Sequence, residues 1–171
     1  MTDKSSCSVT LGSDLARGFI KSQGGIHYYP FFSKGETGAV FGVHNDYNIP
    51  VGNVQIRVDS NEMIELSTQE TPLRYAPKLH STDLSYIKNN DQIDKEALKK
   101  SMDTMMNDVH KISSPYTAVE GAKAEMIIDQ IKTGSVLKMR VLGLAVNTAG
   151  STVGEHKIDK TLIDALAKCG I

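Results

Sequence analysis

The clearest periodicity in the chain is an alternation in which Val54, Ile56 and Val58 are interleaved with Gln55, Arg57 and Asp59. Side chains of an extended chain point to opposite faces in turn, so this pattern predicts a strand with one buried and one wet face. Ser60-Asn61-Glu62 supplies turn residues, and Ile64 and Leu66 resume the alternation, which predicts a hairpin. Upstream, Ser8-Val9-Thr10-Leu11 reads as a short strand closed by Gly12, and Gly24-Gly25 marks a turn. Ile26 to Phe32 and Ala39 to Val43 flank the polar segment Ser33 to Gly38 and predict a second hairpin with a longer loop. Pro30 has no N–H to give to a ladder, so it is expected at an edge or a break. Pro72 and Pro77 bracket an irregular stretch.

The period changes in the second half. From Asp91 or Gln92 to about Ile112, the residues Leu98, Met102, Met105, Val109 and Ile112 recur at spacings of four and three, which lays one apolar stripe along a helix. Ser114 suits an N-cap and Pro115 a first helical turn, so a second helix is expected, with Val119, Ala122, Met126, Ile127 and Ile131 on one face. Gly134 closes it. The pair predicts an αα-hairpin over residues 92–132 packed on the sheet. Ser135 to Ala145 reads as a strand and Asn147 to Gly150 as a turn. A last helix runs from the N-cap Asp159 through Leu162, Ile163 and Leu166 to Lys168. Early strands and late helices specify an α+β domain built on an antiparallel sheet, with no repeat or linker to divide residues 1–171.

Bulk properties narrow the function. Of 171 residues, 40% are hydrophobic and 23% charged, which suits one globular domain. The 19 basic and 20 acidic residues nearly cancel, whereas a nucleic-acid binder wants surplus Lys and Arg, so no nucleic-acid partner is expected. No apolar run reaches the ~18 residues of a membrane span. Met1 to Thr10 lacks the basic start and apolar core of a signal peptide; a mature secreted protein stripped of its leader reads the same way. Cys7 and Cys169 stand at opposite ends. They are either two unrelated thiols or a disulfide tying the termini, which would imply an oxidising compartment and hold residues 1–7, otherwise expected to be poorly ordered.

Phosphate-binding, nucleophile-elbow, zinc-protease and calcium-loop signatures are absent, and no cofactor or metal is expected. His44 with Asp46 could supply a general base and its orienter, but the run Asn45-Asp46-Tyr47-Asn48 is also turn composition, which explains it without further assumption. His27, His44, His80, His110 and His156 stand singly, without metal-ligand spacing. Met102, Met105 and Met106 fit helix core. Four of the ten Tyr and Phe residues fall at Tyr28, Tyr29, Phe31 and Phe32. Adjacent strand residues face opposite ways, so either this strand is buried on both faces or some of its rings form a partner-binding surface. Arg57 and Asp59, on the polar face of the best strand, are the other candidates for partner contact.

Four segments carry a family resemblance. They are Val54-x-Ile56-Arg57-Val58-Asp59, Ile127-Ile128-x-x-Ile131-Lys132-x-Gly134, Leu137-Lys138-Met139-Arg140-Val141, and Leu162-Ile163-x-Ala165-Leu166-x-x-Cys169. In order and spacing this resembles small bacterial envelope proteins of the invasion-associated locus B type and related type VI secretion accessory proteins. The chain departs from them in having no Trp. The resemblance covers about the last two-thirds of the sequence and implies a periplasmic or secreted accessory protein without enzymatic residues. The expected function is therefore non-enzymatic recognition of a protein partner, with a hydrolase-like enzyme using His44 and Asp46 as the alternative.

Overall fold

Alternating apolar side chains build two antiparallel sheets in the computed structural model, which describes residues 7–11, 20–21, 26–35, 38–45, 47–76, 95–143 and 152–171. In chain order the elements are β1 (Ser8–Thr10), β2 (Ile20–Lys21), β3 (His27–Gly35), β4 (Gly38–Asn45), β5 (Asn53–Val58), β6 (Ile64–Leu66), short 3-10 turns at Thr68–Glu70 and Leu73–Tyr75, α1 (Lys95–Ile112), β7 (Tyr116–Glu120), α2 (Ala122–Thr133), β8 (Val136–Gly143), β9 (Thr152–Lys157) and α3 (Lys160–Lys168). One sheet runs β1-β3-β4-β7, with β2 also pairing β3; the other runs β6-β5-β8-β9. The α+β architecture expected from the pattern is present.

A single apolar core joins the inner faces of both sheets to two helices. Phe32 and Phe41 come from the first sheet, Ile56, Leu66 and Leu137 from the second, Ile127 and Ile131 from α2, and Leu162 and Leu166 from α3. Each such burial contributes about 1.5–3 kcal/mol. Asp159 caps α3 as the sequence implies, accepting a hydrogen bond from the Leu162 N–H at 3.0 Å, whereas Asp59, expected on the polar face of its strand, takes φ 50° in the β5–β6 turn.

The expected αα-hairpin is not formed, because a strand separates the two helices. Ser114 does not cap a helix: its hydroxyl accepts from the Tyr116 N–H at 3.0 Å and donates to the Tyr75 carbonyl at 2.8 Å. The following Tyr-Thr-Ala-Val-Glu run is β7, paired along β4 from His44↔Tyr116 to Val40↔Glu120. Helix α2 begins only after Gly121, whose φ of 67° suits glycine. Helix α1 also departs from expectation. It rests on the 3-10 turns, where Lys111 donates to the Gln69 carbonyl at 2.7 Å, and its rotation leaves Met105 (64% exposed), Val109 and Ile112 outside the core. The expected start of this helix at 91–92 and the expected turn at 147–150 lie outside the described residues.

Strand β9 is not expected from the sequence, since Val153-Gly154-Glu155-His156-Lys157 carries little apolar alternation. Pro30 lies inside β3 rather than at an edge. Its carbonyl accepts from the Leu11 N–H at 2.9 Å, so the missing N–H points to the same side. There the neighbour changes from β2, opposite residues 27 and 28, to β1, opposite residues 31 to 33, so the bond that Pro30 cannot donate falls at the end of the β1 ladder.

Cys7 and Cys169 form a disulfide with Cα atoms 5.4 Å apart, joining the chain just before β1 to the end of α3. Beside it the Lys34 ammonium donates to the Gly170 carbonyl at 3.2 Å. The bridge closes a loop spanning 162 positions, worth about 5 kcal/mol in the chain-entropy picture. The double variant C7S/C169S is expected to lose about 2–5 kcal/mol of unfolding free energy in urea titration while keeping its far-UV circular dichroism. An unchanged midpoint would mean that hydrogen bonding of β1 and the packing of α3 suffice without the bridge.

Candidate binding surfaces

The strand pair β3–β4 is buried on both sides, and this decides where its aromatics go. Tyr28 and Phe32 face the main core, where burial pushes the Tyr28 phenol above its ordinary range. Phe31 (4% exposed) faces the other way, into a small cluster with Val40 and Ala118 against Tyr75 and Tyr116. Room for its ring comes from Gly42: a Cβ there would lie 2.6 Å from Phe31 Cε1 and 2.7 Å from the Ala118 methyl group. Of the four aromatics singled out in the sequence, Tyr29 alone is not buried. It stands in a row across three strands, its ring stacked on His44 at 5.2 Å, with His44 stacked on Tyr116 at 5.6 Å. Ring faces in this row cover one another. Tyr116 escapes sequence reasoning because only the β4–β7 register brings it beside His44.

The turn reading of the segment after His44 agrees with the structure. Asn45 Oδ1 accepts from the Tyr47 N–H at 2.9 Å, and Asn48 takes φ 54°. Asp46, the carboxylate required by the hydrolase alternative, lies outside the described residues, as does His80.

The free side of β7 is closed by hydroxyls and charges. Thr117 donates to the Gly52 carbonyl at 2.6 Å, and the Ala118 N–H donates to Thr71 Oγ1 at 3.2 Å. Arg74 pairs with Glu120 and lies over the Tyr75 ring at 5.1 Å, contacts that hold its guanidinium charged. Glu70 accepts from Lys123 at 2.7 Å and from the Ser67 N–H at 3.0 Å. Burial works against its ionisation, but these donors carry the carboxyl below its usual range.

The outer face of the second sheet differs. The Asp59 carboxylate is engaged in the fold, accepting from the Ser135 N–H at 3.0 Å and the Val136 N–H at 2.9 Å, and it does not pair with Arg57. Arg57 points to solvent opposite Lys138, and Gln55 stands opposite Arg140. These side chains line a shallow depression flanked by Met63 (57% exposed) and Val153 (66% exposed). Lys138 pairs with Glu155 at 3.4 Å, whereas neither Arg57 nor Arg140 has an ion-pair partner among the described residues. Arg57 is recoverable from the alternation. Arg140, Met63 and Val153 are brought to it by register alone.

Among the described residues no three His, Cys, Asp or Glu side chains converge as a metal site, and no helix is long and apolar enough to cross a membrane. No family model matches this chain, and no curated protein or solved structure matches it either.

His156 sits on the inner side of β9 opposite Leu137. Burial holds its imidazole below the ordinary histidine value of 6.5, against the opposing pull of Asp159. The folded chain therefore takes up this proton less readily than the unfolded chain. The stability that His156 contributes is full above pH 6.5 and is lost as the pH falls through the folded value. The drop in thermal midpoint between about pH 7 and about pH 5 is expected to be smaller in H156Q than in the parent protein. Equal slopes would clear His156 of any part in acid sensitivity. For the aromatic cluster, G42A is expected to cost about 1–3 kcal/mol in urea titration, because the new methyl group displaces Phe31 from its place against Ala118.

Proposed function

We propose that this chain is a non-enzymatic binding or accessory protein of a bacterial envelope, which recognises a protein partner through the outer face of its second sheet. One observation carries the reading: Arg57 and Arg140 project from adjacent strands without ion-pair partners among the described residues, between the exposed side chains of Met63 and Val153. Arg and Met are enriched in protein interfaces, where a guanidinium meets polar groups while apolar side chains exclude water. The disulfide supports an oxidising compartment, and the resemblance to locus B type proteins supports the envelope. Phe31 and Phe32 serve the interior in this reading, and Arg57 is the recognition residue retained from the sequence.

A photo-crosslinking amino acid placed at Val153 or Met63, in the full chain within its native envelope, tests the proposal. The expected product is one discrete protein adduct at both positions and none from the same group at Met126, an exposed position on α2. Identical adducts at all three positions, or none at Val153 and Met63, would overturn it.

A further inference from the structure

The register of the second sheet sets a backbone spacing between Arg57 and Arg140, which have no ion-pair partner among the described residues. Arg57 lies opposite Lys138, and Arg140 lies two residues further along β8, opposite Gln55. Arg57 and Arg140 are thus diagonal neighbours on one face, about 7–8 Å apart at the backbone. An extended peptide repeats its same-side side chains every second residue, about 6.6–6.8 Å. Two carboxylates separated by one residue are therefore spaced like the backbone positions of the two arginines, whose guanidinium groups can each hold a carboxylate through two parallel N–H···O bonds.

The surroundings select among anions. Lys138 is engaged by Glu155 at 3.4 Å, and Glu65, opposite Gln55 on β6, accepts from the Asn53 amide at 3.3 Å; among the described residues no carboxylate lines the depression itself, so Arg57 and Arg140 leave positive charge there beside apolar surface. Met63 and Val153 offer contact area that a phosphate backbone or a sulfated glycan cannot match, whereas an apolar side chain in a peptide can. We infer that this face binds an extended acidic segment of the partner protein with the pattern acid-x-acid, its carboxylates on Arg57 and Arg140 and a neighbouring apolar side chain against Met63 or Val153. The inference rests on the partner-binding reading above and specifies its chemistry.

The probe is a capped peptide with a Glu-Val-Glu core in a Ser/Thr background, compared with the same peptide carrying Gln-Val-Gln and with one carrying Val-Glu-Glu. Binding is followed through the Met63 and Val153 methyl resonances of the full-length, disulfide-bonded protein. The Glu-Val-Glu peptide is expected to bind and the Gln-Val-Gln peptide to bind about tenfold more weakly or not at all. R57Q/R140Q is expected to weaken Glu-Val-Glu binding by a similar factor, while K160Q on α3 leaves it unchanged. Both arginines are exposed, and an unaltered thermal midpoint of the double variant confirms that its fold is intact. Equal binding of the Glu-Val-Glu and Val-Glu-Glu peptides overturns the inference, whatever the Gln-Val-Gln peptide does, as does R57Q/R140Q-sensitive binding to heparin or to phosphatidylglycerol vesicles in place of the peptide. A Val153 adduct that persists in R57Q/R140Q leaves the partner and removes the acidic segment. Loss of every adduct in the parent protein removes the partner itself.

Discussion

The pairing of β7 with β4, together with the hydroxyls that close the other side of β7, ties the two sheets into one body. A strand at the end of a sheet presents N–H and C=O groups that must find partners when they are covered. Here Thr71 receives the Ala118 N–H, Thr117 reaches the Gly52 carbonyl, and the Val51 N–H donates to the Ser114 carbonyl at 3.1 Å. All three bonds reach the chain that leads into or out of the second sheet. The edge of the first sheet is thus sealed by the segment that carries β5 and β6, and α2, following directly after β7, is delivered onto the shared core. Moving β7 would unseat Tyr116 from His44, open the Phe31 cluster and displace α2 together.

This arrangement explains which parts of the structure could be read in the sequence. Features decided within a few residues were legible: the β5–β6 hairpin from its alternation, the start of α3 from Asp159, and the turn after His44 from Asn45. Ser114-Pro115 misleads because it has the local grammar of a helix start. The deciding interactions, Ser114 with Tyr75 and β7 with β4, link residues 39 and 72 positions apart. Strand β9 owes its place to pairing with β8, not to its own composition. The exposed stripe of α1 was equally beyond local reasoning. Periodicity shows that Met105, Val109 and Ile112 share a side of the helix, and says nothing of how the helix is rotated against the turns beneath it.

The same distinction applies to the candidate surface. Arg57 could be read as outward from Val54, Ile56 and Val58 alone, since alternation leaves it no other side. Asp59 shares that strand's pattern, yet it sits where the chain turns, at positive φ, and its carboxylate meets two backbone N–H groups at the entry to β8. Geometry at a turn outweighs the alternation that ends there.

Charge placement separates structural from recognition groups. Glu70 and Asp59 are held by ammonium or amide donors, and Arg74 by the Glu120 carboxylate, so each is satisfied within the fold. Arg57 and Arg140 are instead projected by β5 and β8, the two interior strands of the second sheet, which are hydrogen-bonded on both sides. The Asp59 carboxylate pins the end of one to the beginning of the other. Side chains mounted on interior strands keep their spacing through the ladder beneath them, so little backbone ordering is required when a ligand arrives. The exposed apolar face of α1 has no such sheet beneath it: among the described residues that helix rests chiefly on short 3-10 turns. Of the two surfaces, the sheet is the one whose backbone holds two arginine positions at a set spacing for a bound chain to meet.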